Sequence, residues 1–130
     1  MKDDNKTKSP AQIAELMGVN AMETHLFLCV GPDCCTEEQG MESWAELKQA
    51  HKQRFSKLSE ARIYRTKVGC LRICKDGPIA VAYPQGKWFR GVTPEVMEDL
   101  LAYLDSGNPQ PHPLEFTHHP LPVDKAGGDQ

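Results

Sequence analysis

His25-Leu26-Phe27-Leu28-Cys29-Val30 is the first apolar run long enough to make a strand, and Gly31-Pro32 ends it by forcing a turn. Before it, residues 1–22 are polar apart from Ile13-Ala14-Glu15-Leu16-Met17, which follows Pro10 and has no second turn of apolar residues to secure a helix. That segment is expected to be a flexible extension. After the turn, Thr36 and Gln39 have the spacing of a capping box, in which the hydroxyl takes a backbone N–H and the amide reaches back. A helix is predicted over about 37–58, with Trp44, Leu47, His51, Phe55 and Leu58 recurring at steps of three and four on one face.

Residues 61–66 alternate as a second strand, and the helical crossover makes it parallel to the first. Ile79-Ala80-Val81-Ala82-Tyr83 reads as a third strand, turned by Pro84-Gln85-Gly86-Lys87 into an antiparallel partner, Trp88-Phe89-Arg90. Thr93-Pro94-Glu95 is a helix start: a cap, a proline at the first helical position, then an acid. That helix is expected to run to about Leu104, bury Val96, Leu100, Leu101 and Leu104, and stop at Ser106-Gly107. Residues 108–130 hold five of the ten prolines and three of the five histidines, and read as an arm held on the domain at Leu114 and Phe116, then disordered after Val123.

Strand, helix, strand, loop, hairpin and helix in this order make an α/β fold, a thioredoxin-like α/β sandwich with a mixed four-stranded sheet and two main helices. The implied division is an extension over 1–22, a domain over 23–107 and a Pro/His-rich tail over 108–130. Hydrophobic residues at 39% and charged residues at 25% are ordinary for a globular chain. A formal net charge of −3 leaves no basic surplus for nucleic-acid phosphates. The five cysteines are an odd number, and the polar start Met-Lys-Asp-Asp-Asn-Lys has no apolar run behind it. Neither a disulfide framework nor membrane insertion is expected, and the cytoplasm is the expected compartment.

The chemistry of the chain lies in its cysteines. Cys29-x4-Cys34 closes the first strand, and Cys70-x3-Cys74 occupies the loop before the third. Two close pairs of thiols on separate loops can grip one soft metal centre, and thiolates select zinc, copper(I) or iron–sulfur clusters. Spacers of four and three residues stand at the edge of the short spacing favoured by structural zinc, while a [2Fe–2S] cluster takes two cysteines per iron from looser loops. Unligated cysteines packed as small hydrophobes are the third possibility. No Cys-x-x-Cys is present for dithiol exchange, and no zinc-protease or nucleotide-binding motif appears.

The stretch Phe27-Leu28-Cys29-x4-Cys34, then Gly69-Cys70-Leu71-Arg72-Ile73-Cys74-x2-Gly77-Pro78, then Tyr83-Pro84-x-Gly86-x-Trp88-Phe89-x-Gly91-Val92-Thr93-Pro94-Glu95, resembles the thioredoxin-like [2Fe–2S] ferredoxins over roughly residues 25–105. The resemblance implies a [2Fe–2S] cluster bound by Cys29, Cys34, Cys70 and Cys74, with Cys35 the alternative to Cys34 because neighbouring side chains on a turn cannot both face one iron pair. It implies a one-electron carrier, not an enzyme, that works between a reductase and an electron acceptor and forms a homodimer. The competing function is a non-redox iron–sulfur or zinc interaction module, or an accessory subunit of a larger oxidoreductase complex. Lys67, Arg72 and Lys75, near the second cysteine pair, are candidates for tuning the cluster or docking a partner. His51, beside an apolar helix face, is expected to be packed rather than ligating.

Overall fold

In the computed structural model, which describes residues 7–121, the chain forms β1 (Thr24–Cys29), β2 (Ile63–Val68), β3 (Ala80–Tyr83), β4 (Lys87–Phe89) and β5 (Glu115–His118). They make one sheet in the order β2-β1-β3-β4-β5. β1 and β2 are parallel, with Thr24 opposite Ile63 and Cys29 opposite Val68, and every other neighbour pair is antiparallel. This register brings the ends of β1 and β2 out at the same end of the sheet, where β3 also begins, so both cysteine loops leave the fold side by side.

Three α-helices accompany the sheet among the described residues: α1 (Pro10–Met17), α2 (Glu37–Arg54) and α3 (Met97–Ser106). The capping box at α2 forms as expected, Thr36 accepting from the Gln39 N–H while the Gln39 amide accepts from Thr36. The helices α2 and α3 bury Trp44, Leu47, Ala50, Met97, Leu100, Leu101 and Leu104 against Leu26 and Leu28 of β1, Ala80 and Ala82 of β3 and Phe89 of β4. Because side chains alternate along a strand, Cys29 points away from that core. It joins a second, smaller apolar cluster with Cys34 and Ile79, flanked by Val68, Leu71 and Trp88.

The sheet has five strands, not the four read from the sequence, because 115–118 of the tail adds to the edge of β4. Its anchors are not apolar ones alone. Leu114 packs on the core, whereas Phe116 remains exposed. Buried Lys87 of β4 donates to the Tyr103 hydroxyl at 2.8 Å and lies 3.5 Å from the Glu115 carboxylate. Buried His112 meets Asp99 of α3 at 2.7 Å and stacks edge-on against Phe89 and Tyr103. Burial acts to lower the Lys87 pKa, but the Tyr103 hydroxyl and Glu115 outweigh it and hold the ammonium form above its ordinary range.

Two helix boundaries differ from expectation. The helix α2 ends at Arg54, where Phe55 turns to an extended conformation with φ −122° and tucks its ring against His51; Leu58 begins a separate short turn over 58–60. The helix α3 starts after a single tight turn over 94–96, so Met97 rather than Val96 takes the fully buried place. In the N-terminal segment, α1 forms over 10–17 with a Ser9–Gln12 capping box and a left-handed Gly18 at its end, its backbone against Leu58. The expected disorder after Val123 lies outside the described residues.

Candidate metal centre

Cys29 is the last residue of β1, and its sulfur is buried. From there the chain turns through Gly31, at φ 92°, so tightly that a Cβ on that residue would stand 2.5 Å from the Cys35 carbonyl oxygen. Glycine is the residue that takes this left-handed geometry without strain. The turn brings Cys34 back under Cys29, with their sulfurs 2.8 Å apart. This separation exceeds the roughly 2.05 Å of a disulfide, and both thiols are free. Cys35 is half-buried, its sulfur 3.7 Å from that of Cys34.

The second loop closes on the first through backbone. The Gly77 N–H donates to the Cys34 carbonyl at 2.9 Å, and a Cβ on Gly77 would lie 2.5 Å from that oxygen and 2.8 Å from the Cys34 Cβ. No side chain fits there. Cys29 Sγ reaches the Gly69 carbonyl at 3.7 Å, one residue from Cys70. Cys70 and Cys74 are exposed on the outer side of this junction. Within their loop, Arg72 and Asp76 adopt φ 72° and 58°, conformations uncommon for side-chain-bearing residues. At Arg72 the consequence is visible: its N–H turns onto Cys70 Sγ at 3.2 Å.

Other backbone groups do the same. Gly31 and Leu71 hydrogen-bond Cys29, and Ile79 hydrogen-bonds Cys34, each favouring the thiolate. These bonds do not prevail. Burial pushes the Cys29, Cys34 and Cys35 thiols up, and Cys74 is also raised, by desolvation first and then by Cys70 and Asp33. In a site crowded with thiols and lined by N–H donors, a cation would make several thiolates tolerable together. The donor set therefore fits a soft, thiophilic metal centre, and N–H groups aimed at sulfur are the usual second layer of protein around such a centre.

The structure brings Cys29, Cys34, Cys70 and Cys74 to the same edge of the sheet, as two pairs. It turns Cys34 rather than Cys35 onto Cys29. Lys67, Arg72 and Lys75 are exposed around the second pair. His51 stays away from this group: it is buried in the helix layer, donates from Nε2 to the Ile63 carbonyl at 2.6 Å, and leaves Nδ1 without a partner among the described residues. One site residue went unread in the sequence. The Asp33 carboxylate and the sulfurs of Cys70 and Cys74 all lie within 4.8 Å of one another. Its place inside the Cys29-x4-Cys34 spacer was the available signal, but spacing cannot tell which spacer side chain faces the other loop.

Fold and site together define a thioredoxin-like α/β protein with two cysteine pairs converging at one end of its sheet. No protein-family model matches the chain. In sequence it is 32% identical over 83 residues to a Priestia megaterium protein provisionally named a 2Fe-2S ferredoxin, a match covering 64% of this chain and 61% of that one. The 2Fe-2S ferredoxin of Clostridium pasteurianum is 26% identical over 64% of this chain and 86% of its own length. The thioredoxin-like [2Fe–2S] ferredoxin from Aquifex aeolicus superposes with a TM-score of 0.62 at 26% identity, covering 76% of this chain and 94% of that one. The chain spans less than two thirds of the Priestia relative. In sequence and in fold alike, it is similar to the thioredoxin-like [2Fe–2S] ferredoxins.

Proposed function

We propose that this chain is a [2Fe–2S] ferredoxin, a one-electron carrier between redox proteins, with the cluster held by Cys29, Cys34, Cys70 and Cys74. The observation that carries the reading is the meeting of the two loops. The Gly77–Cys34 hydrogen bond locks them together, and N–H groups of Gly31, Leu71, Arg72 and Ile79 point at three of the four sulfurs. When bound, such a cluster takes up and gives back a single electron. The protein holds it on buried Cys29 and Cys34 and leaves Cys70 and Cys74 open to solvent, which supplies an exposed edge for electron exchange. Its partners in this reading are a reductase and an electron acceptor, its compartment the cytoplasm and its assembly a homodimer.

Anaerobic purification followed by iron, sulfide and zinc analysis tests the proposal. About two irons and two sulfides per chain, with a visible spectrum that bleaches on dithionite, are expected. A colourless chain with stoichiometric zinc overturns it in favour of a structural interaction module. Sedimentation of the same sample checks the homodimer.

A further inference from the structure

Asp33 stands apart from everything else near the cysteines. It is an acid held beside the exposed pair on the opposite loop, its carboxylate oxygen within 4.8 Å of the Cys70 and Cys74 sulfurs. All three residues are exposed. No ion pair among the described residues joins Asp33 to a cation, although Arg72 and Lys75 belong to the facing loop. Its charge is therefore not cancelled by a bound partner. It lies between the Gly31 turn that returns Cys34 to Cys29 and Cys34 itself, which the Gly77 contact clamps to the second loop.

Resting on the ferredoxin reading above, we infer that Asp33 is a positioning residue for charge, setting the reduction potential low at the Cys70/Cys74 side of the cluster. Four thiolates already saturate a [2Fe–2S] centre, so a carboxylate at this place has no ligand to supply. What it supplies is a fixed negative charge next to the exposed sulfurs. Reduction adds one electron to a centre already carrying net negative charge, and a second anion a few ångströms away opposes that addition. The separation is shorter than the Debye length of about 8 Å at physiological ionic strength, so salt weakens the effect without removing it. Net charge and hydrogen bonds at the sulfurs are the recognised levers on cluster potentials. At Cys70 the Arg72 N–H pulls the potential up and Asp33 pulls it down.

The test is a dye-mediated redox titration of wild type, Asp33→Asn and Asp33→Glu, followed by the visible spectrum, with iron and sulfide measured on each sample. The asparagine variant is expected to keep the cluster spectrum and to be easier to reduce: at the wild-type midpoint its reduced-to-oxidised ratio should be on the order of threefold higher, roughly 30 mV at 59 mV per tenfold for one electron. The glutamate variant should titrate close to wild type. An asparagine variant with an intact spectrum and the wild-type midpoint overturns the inference and leaves the ferredoxin reading standing. Loss of the cluster in the asparagine variant, whether or not glutamate retains it, also overturns it, since the carboxylate would then serve ligation or folding. A wild-type chain without iron and sulfide removes the ferredoxin reading itself, and this inference with it.

Discussion

Cys34 and Cys35 are neighbours with different surroundings, and the difference lies in which way the turn throws each side chain. Cys34 is buried under Cys29, and Gly77 contacts its backbone; Cys35 lies half-exposed behind it. If Cys34 is the ligand, Cys34→Ser should shift or bleach the visible spectrum, because a serine oxygen is a harder donor than thiolate, while Cys35→Ser should leave it nearly intact. The reverse result would assign the ligand to Cys35, and two mild effects would mean that either sulfur can serve. At this scale the sequence was legible only in part. Cysteine spacing marked the candidate ligands, but the Gly77–Cys34 contact, the N–H donors and Asp33 depend on how two loops far apart in the chain meet in space, which no local spacing encodes.

Elements were read well where their signals are local and missed where they are not. The α2 capping box and the 83–88 hairpin turn rest on residues a few positions apart, and the parallel crossover follows from the helix that lies between its two strands; all three formed. β5 escaped because its stability comes from afar: Lys87 and Tyr103 meet Glu115, and Asp99 meets His112, across 12 to 28 residues of chain. The contact between α2 and β2 is of this second kind and carries a prediction. His51 of α2 donates to Ile63 of β2 inside the core. Burial lowers its pKa, the Ile63 carbonyl opposes this and the Arg65 charge reinforces it, while burial likewise lowers His25. The unfolded imidazole titrates near 6.5, so below about that pH the unfolded chain binds a proton the native chain resists. Stability is therefore full above about 6.5 and is lost as pH falls through the folded pKa, by about 1.4 kcal/mol for each pKa unit of depression. The urea midpoint of wild type should fall from pH 7.5 to 5. In a His51→Gln variant the side-chain amide can still donate to the Ile63 carbonyl but cannot titrate, so the midpoint should fall less; parallel slopes for the two proteins would refute the account.

For the whole molecule the question is how, in the proposed carrier, an acidic chain would present its cysteine edge to a partner. The net charge is −3, yet the loop that carries Cys70 and Cys74 exposes Lys67, Arg72 and Lys75. Beside it, a recess of about 250 Å³ is lined by Ile73, Ile79 and Phe116, with Lys75, Arg90 and the acid Asp76 around them. An apolar centre whose rim carries two cations against one carboxylate suits a partner with an acidic patch around an apolar one. Electron-transfer encounters fall at the small end of interface sizes and must release quickly, so rim charge should act on association rate more than on complex lifetime. Replacing Arg72 and Lys75 with glutamine should slow reduction by the cognate reductase at low ionic strength. The difference should shrink near 1 M salt, where the Debye length is about 3 Å. Stopped-flow reduction across a salt series checks this, with the Asp33→Asn protein as a comparison because it changes charge at the same edge in the opposite direction. If the double variant matches wild type at low salt, the cations are solvated surface and the partner approaches Cys70 and Cys74 from another side.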